Sequence, residues 1–350
     1  MEKYNFLIKF YLLLAYLITL SFSPFLRASS SYGAYQTTTS AGSLTLEEEF
    51  TPIAIPHLPQ RKGKKILNFR GGTQTSFNDE IQINNAGVGK IKNTNNHFYA
   101  IDIFLDRLGL SLKQLTPYSV KLENVFARNR KEIEISQSVL NITFCPLSYL
   151  CLSDSLIAAK GKQFYMSETE TSSLTQEEWQ WGQAYGVSLQ WSESFGFKYS
   201  LTNSFYWSFN ETKSNYFNSL MSPVKENLSF FYSWPQPQWK ITLETEKFQA
   251  PGKNVYSFES NEYTNLMSFR DTALSSYRLV LEKKWNLRSW WQLALKSGYY
   301  FEPSRILSVL DRHHYTAGLI LFFPNFQVSL ATDQARDFWT SSVSVSAAAF

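Results

Sequence analysis

The chain has 350 residues, of which 44% are hydrophobic, 17% aromatic and only 18% charged, with a formal net charge of +4. Mean hydropathy is −0.25, and one apolar stretch alone approaches the ~20 residues a membrane helix needs, which excludes a polytopic helical membrane protein. The charge is spread without the basic stripe of a nucleic-acid binder, and the wealth of aromatic and β-branched residues excludes a disordered chain. A soluble all-β protein or a transmembrane β-barrel remains.

Residues 1–28 read as a secretory signal peptide. Lys3 and Lys9 supply the positive flank, Phe10 to Leu26 form an apolar run interrupted by Pro24, and cleavage after Ala28 precedes Ser29-Ser30-Ser31. The competing reading is a single membrane anchor, which Pro24 and Arg27 make short. No Cys follows the run, so a lipoprotein anchor is disfavoured. Residues 29–63 are Ser/Thr-rich, then acidic at Glu47-Glu48-Glu49, then broken by Pro52, Pro56 and Pro59. That segment is expected to be either a reduced plug or a disordered tail, with residues 64–350 forming the folded unit.

An exported chain meets an oxidising compartment, and this one has two cysteines, Cys145 and Cys151, flanking a turn-like segment at Pro146-Leu147. A cross-turn disulfide and two buried thiols are both compatible with that spacing. His57, His97, His313 and His314 show no metal-ligand spacing, so neither a metal nor a cofactor is expected.

Weaker strand candidates lie at Lys65–Phe69, Glu80–Ile83 and Phe98–Leu105. From about residue 130 the hydrophobic period is two. The longest case runs Phe195, Phe197, Tyr199, Leu201, Phe205, Trp207 and Phe209, with mostly Gly, Lys, Ser and Thr between. Alternate side chains of a strand face opposite sides, so one face is apolar and the other polar. The pattern returns in Tyr185/Val187/Leu189/Trp191, Tyr277/Leu279/Leu281, Trp291/Leu293/Leu295 and Tyr315/Ala317/Leu319/Leu321. Very short turns are predicted at Pro146-Leu147, Ser192–Ser194, Pro235–Pro237, Asn286–Arg288 and Pro324-Asn325, with two strands and one longer polar connection between successive ones. Tight turns at one end and long loops at the other organise an outer-membrane barrel, and the aromatics beside the turns (Trp191, Trp234, Trp239, Trp285, Trp290) resemble its girdle. The chain ends at Phe350, similar to the C-terminal signal read by the bacterial barrel assembly machinery, although Val343 and Val345 have the opposite parity.

Several segments together resemble the FadL-type outer-membrane transporters of long-chain fatty acids and other hydrophobic compounds. They are Trp179-Gln180-Trp181-Gly182, Tyr185-Gly186-Val187, Phe195-Gly196-Phe197, Phe269–Thr272, Ser276–Leu279, Gly298–Tyr300, Glu302-Pro303 and Leu310–His313 with Ala317-Gly318-Leu319. The likeness covers roughly residues 130–350; the Asn-Pro-Ala of the family's hatch is missing from residues 29–130, and Val280 stands where the family often has Gly. The pattern gives eleven strands after residue 130 and three candidates before it, and their sum is the fourteen (twelve to fourteen) that the resemblance implies for an all-β, transmembrane antiparallel barrel. The resemblance also implies a bacterial outer-membrane location and passive, porin-like uptake of a hydrophobic small molecule such as a long-chain fatty acid, with outer-membrane lipid around the wall and no nucleic acid as a partner. The alternative is a structural or surface-exposed barrel without transport, favoured by the missing hatch sequence.

No enzyme is expected. Asp311, His313-His314 and Ser304 or Ser308 are hydrolase ingredients, but strand neighbours face opposite sides, so Asp311-Arg312-His313 reads as a solvated rim. The lumenal ligand-binding candidates are Arg278, Lys296, Tyr206, Tyr300 and Phe322. Arg278 and Lys296 alternate with apolar neighbours and should face inward, because a cation facing lipid at the midplane costs ~2–4 kcal/mol. They serve equally as carboxylate anchors or as partners in lumenal salt bridges with Glu244 or Glu282.

Overall fold

The computed structural model describes residues 67–78, 80–83, 87–92, 94–105, 107–124, 129–166, 171–175, 179–192, 194–202, 205–208, 219–222, 225–234, 238–248, 274–288, 290–303, 311–335 and 338–349. The signal segment 1–28, the segment 29–63 and Phe350 lie outside the described residues, as do Ser304 and Ser308.

Fourteen antiparallel strands close into a barrel: β1 (Leu67–Asn78), β2 (Thr94–Leu105), β3 (Leu108–Asn124), β4 (Asn129–Leu147), β5 (Leu150–Met166), β6 (Gln180–Gln190), β7 (Phe195–Thr202), β8 (Lys225–Trp234), β9 (Trp239–Phe248), β10 (Leu274–Arg288), β11 (Trp291–Glu302), β12 (Arg312–Phe322), β13 (Phe326–Ala335) and β14 (Phe338–Ala349). Each pairs with its sequence neighbour, and the wall closes where β1 pairs with β14 from Leu67↔Ala349 to Asn78↔Phe338. Closure leaves no open edge, which is the condition for a sheet to cross a bilayer. Short strands extend the loop end. Glu80–Ile83 pairs with Gly87–Lys92, which continues along the top of β3, and Thr171–Thr175 pairs with the top of β5.

The expected count holds, with one member exchanged. Glu80–Ile83 belongs to a loop-end hairpin, and the third early strand of the wall is β3, which sequence reasoning passed over. Its outward apolar run Leu108, Leu110 and Leu112 ends at Gln114 and Pro117 follows; Lys113 is buried on the inward face, and the ladder to β4 shifts register between Leu115 and Tyr118. The long run from Phe195 is also divided. The wall strand stops at Thr202, and Phe205–Ser208 pairs separately with Ser219–Ser222. Two turns move by a few residues: β4 and β5 are joined through Ser148-Tyr149, and β10 and β11 through residues 289–290. Short connections also occur at the loop end, between β3 and β4 and between β13 and β14.

The barrel is apolar outside and largely polar inside. On β10, Tyr277, Leu279 and Leu281 are exposed while Ser276 and Arg278 are buried, and on β14 Val343 and Val345 are exposed while Ser342 and Ser344 are buried. This inverts the pattern of a soluble protein and matches a wall that meets hydrocarbon. Trp191 stacks on Phe195 at 5.3 Å and Trp291 on Phe323 at 6.4 Å beside the tight turns, as the girdle requires. Cys145 and Cys151 form a disulfide across the β4–β5 hairpin.

The seam is laced by one carboxylate. Asp102 accepts from Arg70 Nε at 2.6 Å and Nη2 at 2.8 Å, from Asn68 Nδ2 at 2.9 Å and from Ser111 Oγ at 2.7 Å, while Ser346 Oγ donates to Asn68 Oδ1 at 2.9 Å. Strands β14, β1, β2 and β3 are thereby linked on the inward face. Beside this cluster Phe98, fully buried, packs over Gly72, its register partner. A Cβ on Gly72 would lie 2.5 Å from the Phe98 ring and 2.7 Å from the Val343 carbonyl, whereas one on Gly71 would meet nothing nearer than 3.5 Å. Gly72→Ala is expected to destabilise the refolded barrel by about 1–3 kcal/mol through overpacking against backbone that cannot yield. Gly71→Ala should stay within about 0.5 kcal/mol of the wild type. Urea unfolding in detergent, followed by Trp fluorescence, compares the two.

Candidate functional site in the barrel lumen

Two charged clusters project inward from β9–β13. Nearer the tight turns, Lys240, Glu282 and Lys296 occupy one rung across β9, β10 and β11. Lys296 Nζ lies 3.2 Å from Glu282 Oε2, and Lys240 and Lys284 add their fields to the same carboxylate. Lys240 Nζ sits 4.8 Å from the centre of the Phe231 ring, and Lys284 Nζ 4.4 Å from that of Phe322. Three ammonium groups thus stand around the Glu282 carboxylate between two aromatic faces.

Four residues along β10, about 13 Å at ~3.3 Å per residue, a second cluster is nearly self-neutralising. Arg278, 3% exposed, donates to Glu244 through Nη1 and to Glu246 through Nη2. Asn227 Nδ2 also donates to Glu244, at 2.9 Å. The Arg278 guanidinium carbon lies 5.7 Å from the centre of the Tyr300 ring, and that ring stacks on His314 at 4.0 Å. Tyr300 Oη donates to Asp333 at 2.7 Å. His314 is bracketed by carboxylates, with Nδ1 2.9 Å from Asp333 and Nε2 3.0 Å from Glu302. Both partners are acceptors when ionised, so the geometry is completed when both ring nitrogens carry hydrogen. Arg312 approaches Glu302 at 4.0 Å.

Four of the five residues singled out from sequence therefore meet in these clusters: Lys296 and Phe322 in the first, Arg278 and Tyr300 in the second. Tyr206 lies on the separate strand Phe205–Ser208, and its side chain is outside the described set. Both cations face inward as their parity requires, and both take carboxylates as partners, Arg278 with Glu244 and Glu246, Lys296 with Glu282. Lys240, Lys284, Phe231, Glu246 and Asp333 were missed. The signal lay in their inward parity on neighbouring strands, legible only once the stagger between those strands is known.

The expected rim at Asp311-Arg312-His313 is corrected in part. Arg312 and His314 are buried and inward; His313 is exposed on the outer face, its Nδ1 2.6 Å from Tyr299 Oη. With both ring nitrogens of His314 facing carboxylates, neither is presented to a nucleophile. Among the described residues no group of three His, Cys, Asp or Glu side chains is arranged to hold a metal ion.

No protein-family model and no curated protein sequence matches the chain. Solved structures do. The barrel is similar to a FadL homologue of Pseudomonas aeruginosa (9% identity, 92% of this chain and 98% of that one, TM-score 0.59), to the toluene transporter TbuX of Ralstonia pickettii (7%, 93% and 96%, 0.56) and to the toluene transporter TodX of P. putida (9%, 92% and 96%, 0.56). The protein is thus a closed, fourteen-stranded, transmembrane-type antiparallel barrel with a charged lumen. In particular, its fold is that of the FadL-type barrels over nearly their whole length.

Proposed function

We propose that the barrel is a passive channel for hydrophobic small molecules in the bacterial outer membrane, and that it takes amphipathic anions such as long-chain fatty acids. The observation that carries this reading is the inward group of Lys240, Lys284 and Lys296 around one carboxylate, flanked by Phe231 and Phe322. A fatty acid presents a carboxylate to such lysines and its chain to the aromatic faces, the few convergent polar groups on an apolar wall that ligand sites use. Arg278, held between two carboxylates, serves to fix the wall around Tyr300.

Diffusion toward a lateral opening has a natural exit at the shifted ladder between β3 and β4, where Pro117 brings no N–H to the pairing. Export by residues 1–28 and insertion by assembly machinery reading the C-terminal strand belong to the same reading. Residues 29–63 serve as plug or tail.

The competing reading, a structural barrel, draws on the Arg278–Glu244–Glu246 and His314–Asp333–Glu302 networks, which occupy the lumen nearer the loops. Binding by the barrel refolded in detergent separates the two. A fluorescent long-chain fatty acid should bind saturably and be displaced by unlabelled fatty acid. A barrel that migrates as folded and binds nothing makes the structural reading the correct one.

A further inference from the structure

The outer wall carries a groove of about 340 Å³ across β10–β13, on the face opposite the lumenal clusters. That volume lies within the ~300–1,000 Å³ typical of small-ligand sites. Its floor is a rung of small residues, Ser297, Ala317 and Thr332, in register on three adjacent strands. The next rung toward the tight turns, Leu295, Leu319 and Leu330, walls it on one side. The Thr332 hydroxyl donates to the Thr340 carbonyl at 3.0 Å and accepts from Trp339 Nε1 at 2.7 Å, so its polarity is spent within the wall.

One end of the groove is not apolar. Lys283 shares outward parity with Tyr277, Leu279 and Leu281, and its Nζ stands 5.1 Å from the Trp239 ring and 5.8 Å from the Trp285 ring. Lys283 is paired in register with Trp239, the first residue of β9, which puts it at the level of the tight turn between β8 and β9, five residues before β10 ends at Arg288. A lipid-facing cation costs ~2–4 kcal/mol at the midplane but only ~0–1 kcal/mol at the interface. Two indole faces hold the ammonium against the wall. Lys284, the next residue, faces the lumen, so adjacent lysines serve opposite sides of one strand.

We propose that this groove is a binding site for one anionic phospholipid of the leaflet at the tight-turn end, its phosphate on Lys283 and an acyl chain in the trough over Ala317. Charge complementarity selects this occupant: a cation framed by indoles at the head of an apolar trough matches a phosphodiester at the head of a hydrocarbon chain. The proposal rests on the barrel standing in a bilayer.

Native mass spectrometry of the full barrel, refolded in mild detergent and titrated with phosphatidylglycerol or phosphatidylcholine of equal chain length, tests it. The expected result is one bound phosphatidylglycerol, at least tenfold preferred over phosphatidylcholine. Lys283→Gln should reduce that preference to twofold or less, and Ala317→Leu, which fills the trough from outside, should lower phosphatidylglycerol binding at least tenfold with folded migration unchanged. Equal affinity for the two lipids, or an undiminished preference in Lys283→Gln, overturns the site. A dimer abolished by Ala317→Leu and insensitive to lipid assigns the face to a second copy instead. Failure of the refolded barrel to insert into phosphatidylcholine vesicles overturns the membrane reading itself, an outcome distinct from an inserted barrel without lipid preference.

Discussion

Arg278→Ala is expected to destabilise the folded barrel by about 3–5 kcal/mol, the cost of breaking a buried ion pair from one side. The substitution leaves Glu244 and Glu246 on the same face of β9, two residues apart, with no guanidinium between them and with Glu246 fully buried. It also removes the cation beside the Tyr300 ring, whose stack on His314 and bond to Asp333 tie β11 to β12 and β13. Arg278→Lys should recover only part of the loss, because a single ammonium cannot span two carboxylates as the planar fork does. The diagnostic variant is the combined Arg278→Met, Glu244→Gln and Glu246→Gln. Removing the whole ionic set relieves the uncompensated charge, so it should be markedly more stable than Arg278→Ala. Urea midpoints in detergent rank the three. An Arg278→Ala barrel as stable as the wild type would sink the assignment of Arg278 to holding the wall.

The parts of this architecture that sequence reveals are those set by parity within a strand. Tyr277, Leu279 and Leu281 point outward and Arg278 inward because side chains alternate, and no knowledge of neighbouring strands is needed. What parity leaves open is partnership. His314 and Asp333 lie nineteen residues apart and meet diagonally across β12 and β13, where His314 stands one rung beyond the last paired residue of that hairpin. The convergence of Lys240, Lys284 and Lys296 depends on the stagger of three strands in the same way. Partnership also explains the long run from Phe195. Alternation persists in the sequence to Phe209, but among the described residues only those up to Thr202 pair with β6 and β8. Strand β3 escaped for the opposite reason. Its outward Leu108, Leu110 and Leu112 give way to Gln114 and then Pro117, which looks like the end of an apolar pattern, yet the strand continues through the register shift that follows. Sequence reasoning placed Lys296 and Phe322 on the inward face, and it lacked the neighbours with which they cluster.

Those neighbours supply the second large effect. Lys240→Gln combined with Lys284→Gln is expected to weaken binding of a long-chain fatty acid by tenfold or more. A charge-assisted hydrogen bond is worth ~1.5–3 kcal/mol, and 1.4 kcal/mol is tenfold in affinity. Toluene, which has no carboxylate, should bind both proteins equally if the aromatic wall of Phe231 and Phe322 is its contact. Glu282→Gln gives the opposite sign. Glu282 competes with an incoming carboxylate for Lys296 at 3.2 Å and for the fields of Lys240 and Lys284, so its neutralisation should tighten fatty-acid binding severalfold. A purely structural lysine cluster predicts otherwise: Glu282→Gln would take a carboxylate from beside three ammonium groups, lower the urea midpoint and leave fatty-acid affinity unimproved. Titrating the fluorescent fatty acid into the wild type, the double lysine variant and Glu282→Gln, with toluene as the uncharged control, reads both signs. Loss in the first variant, gain in the second and no change for toluene is the combination that only an anion site inside the barrel produces.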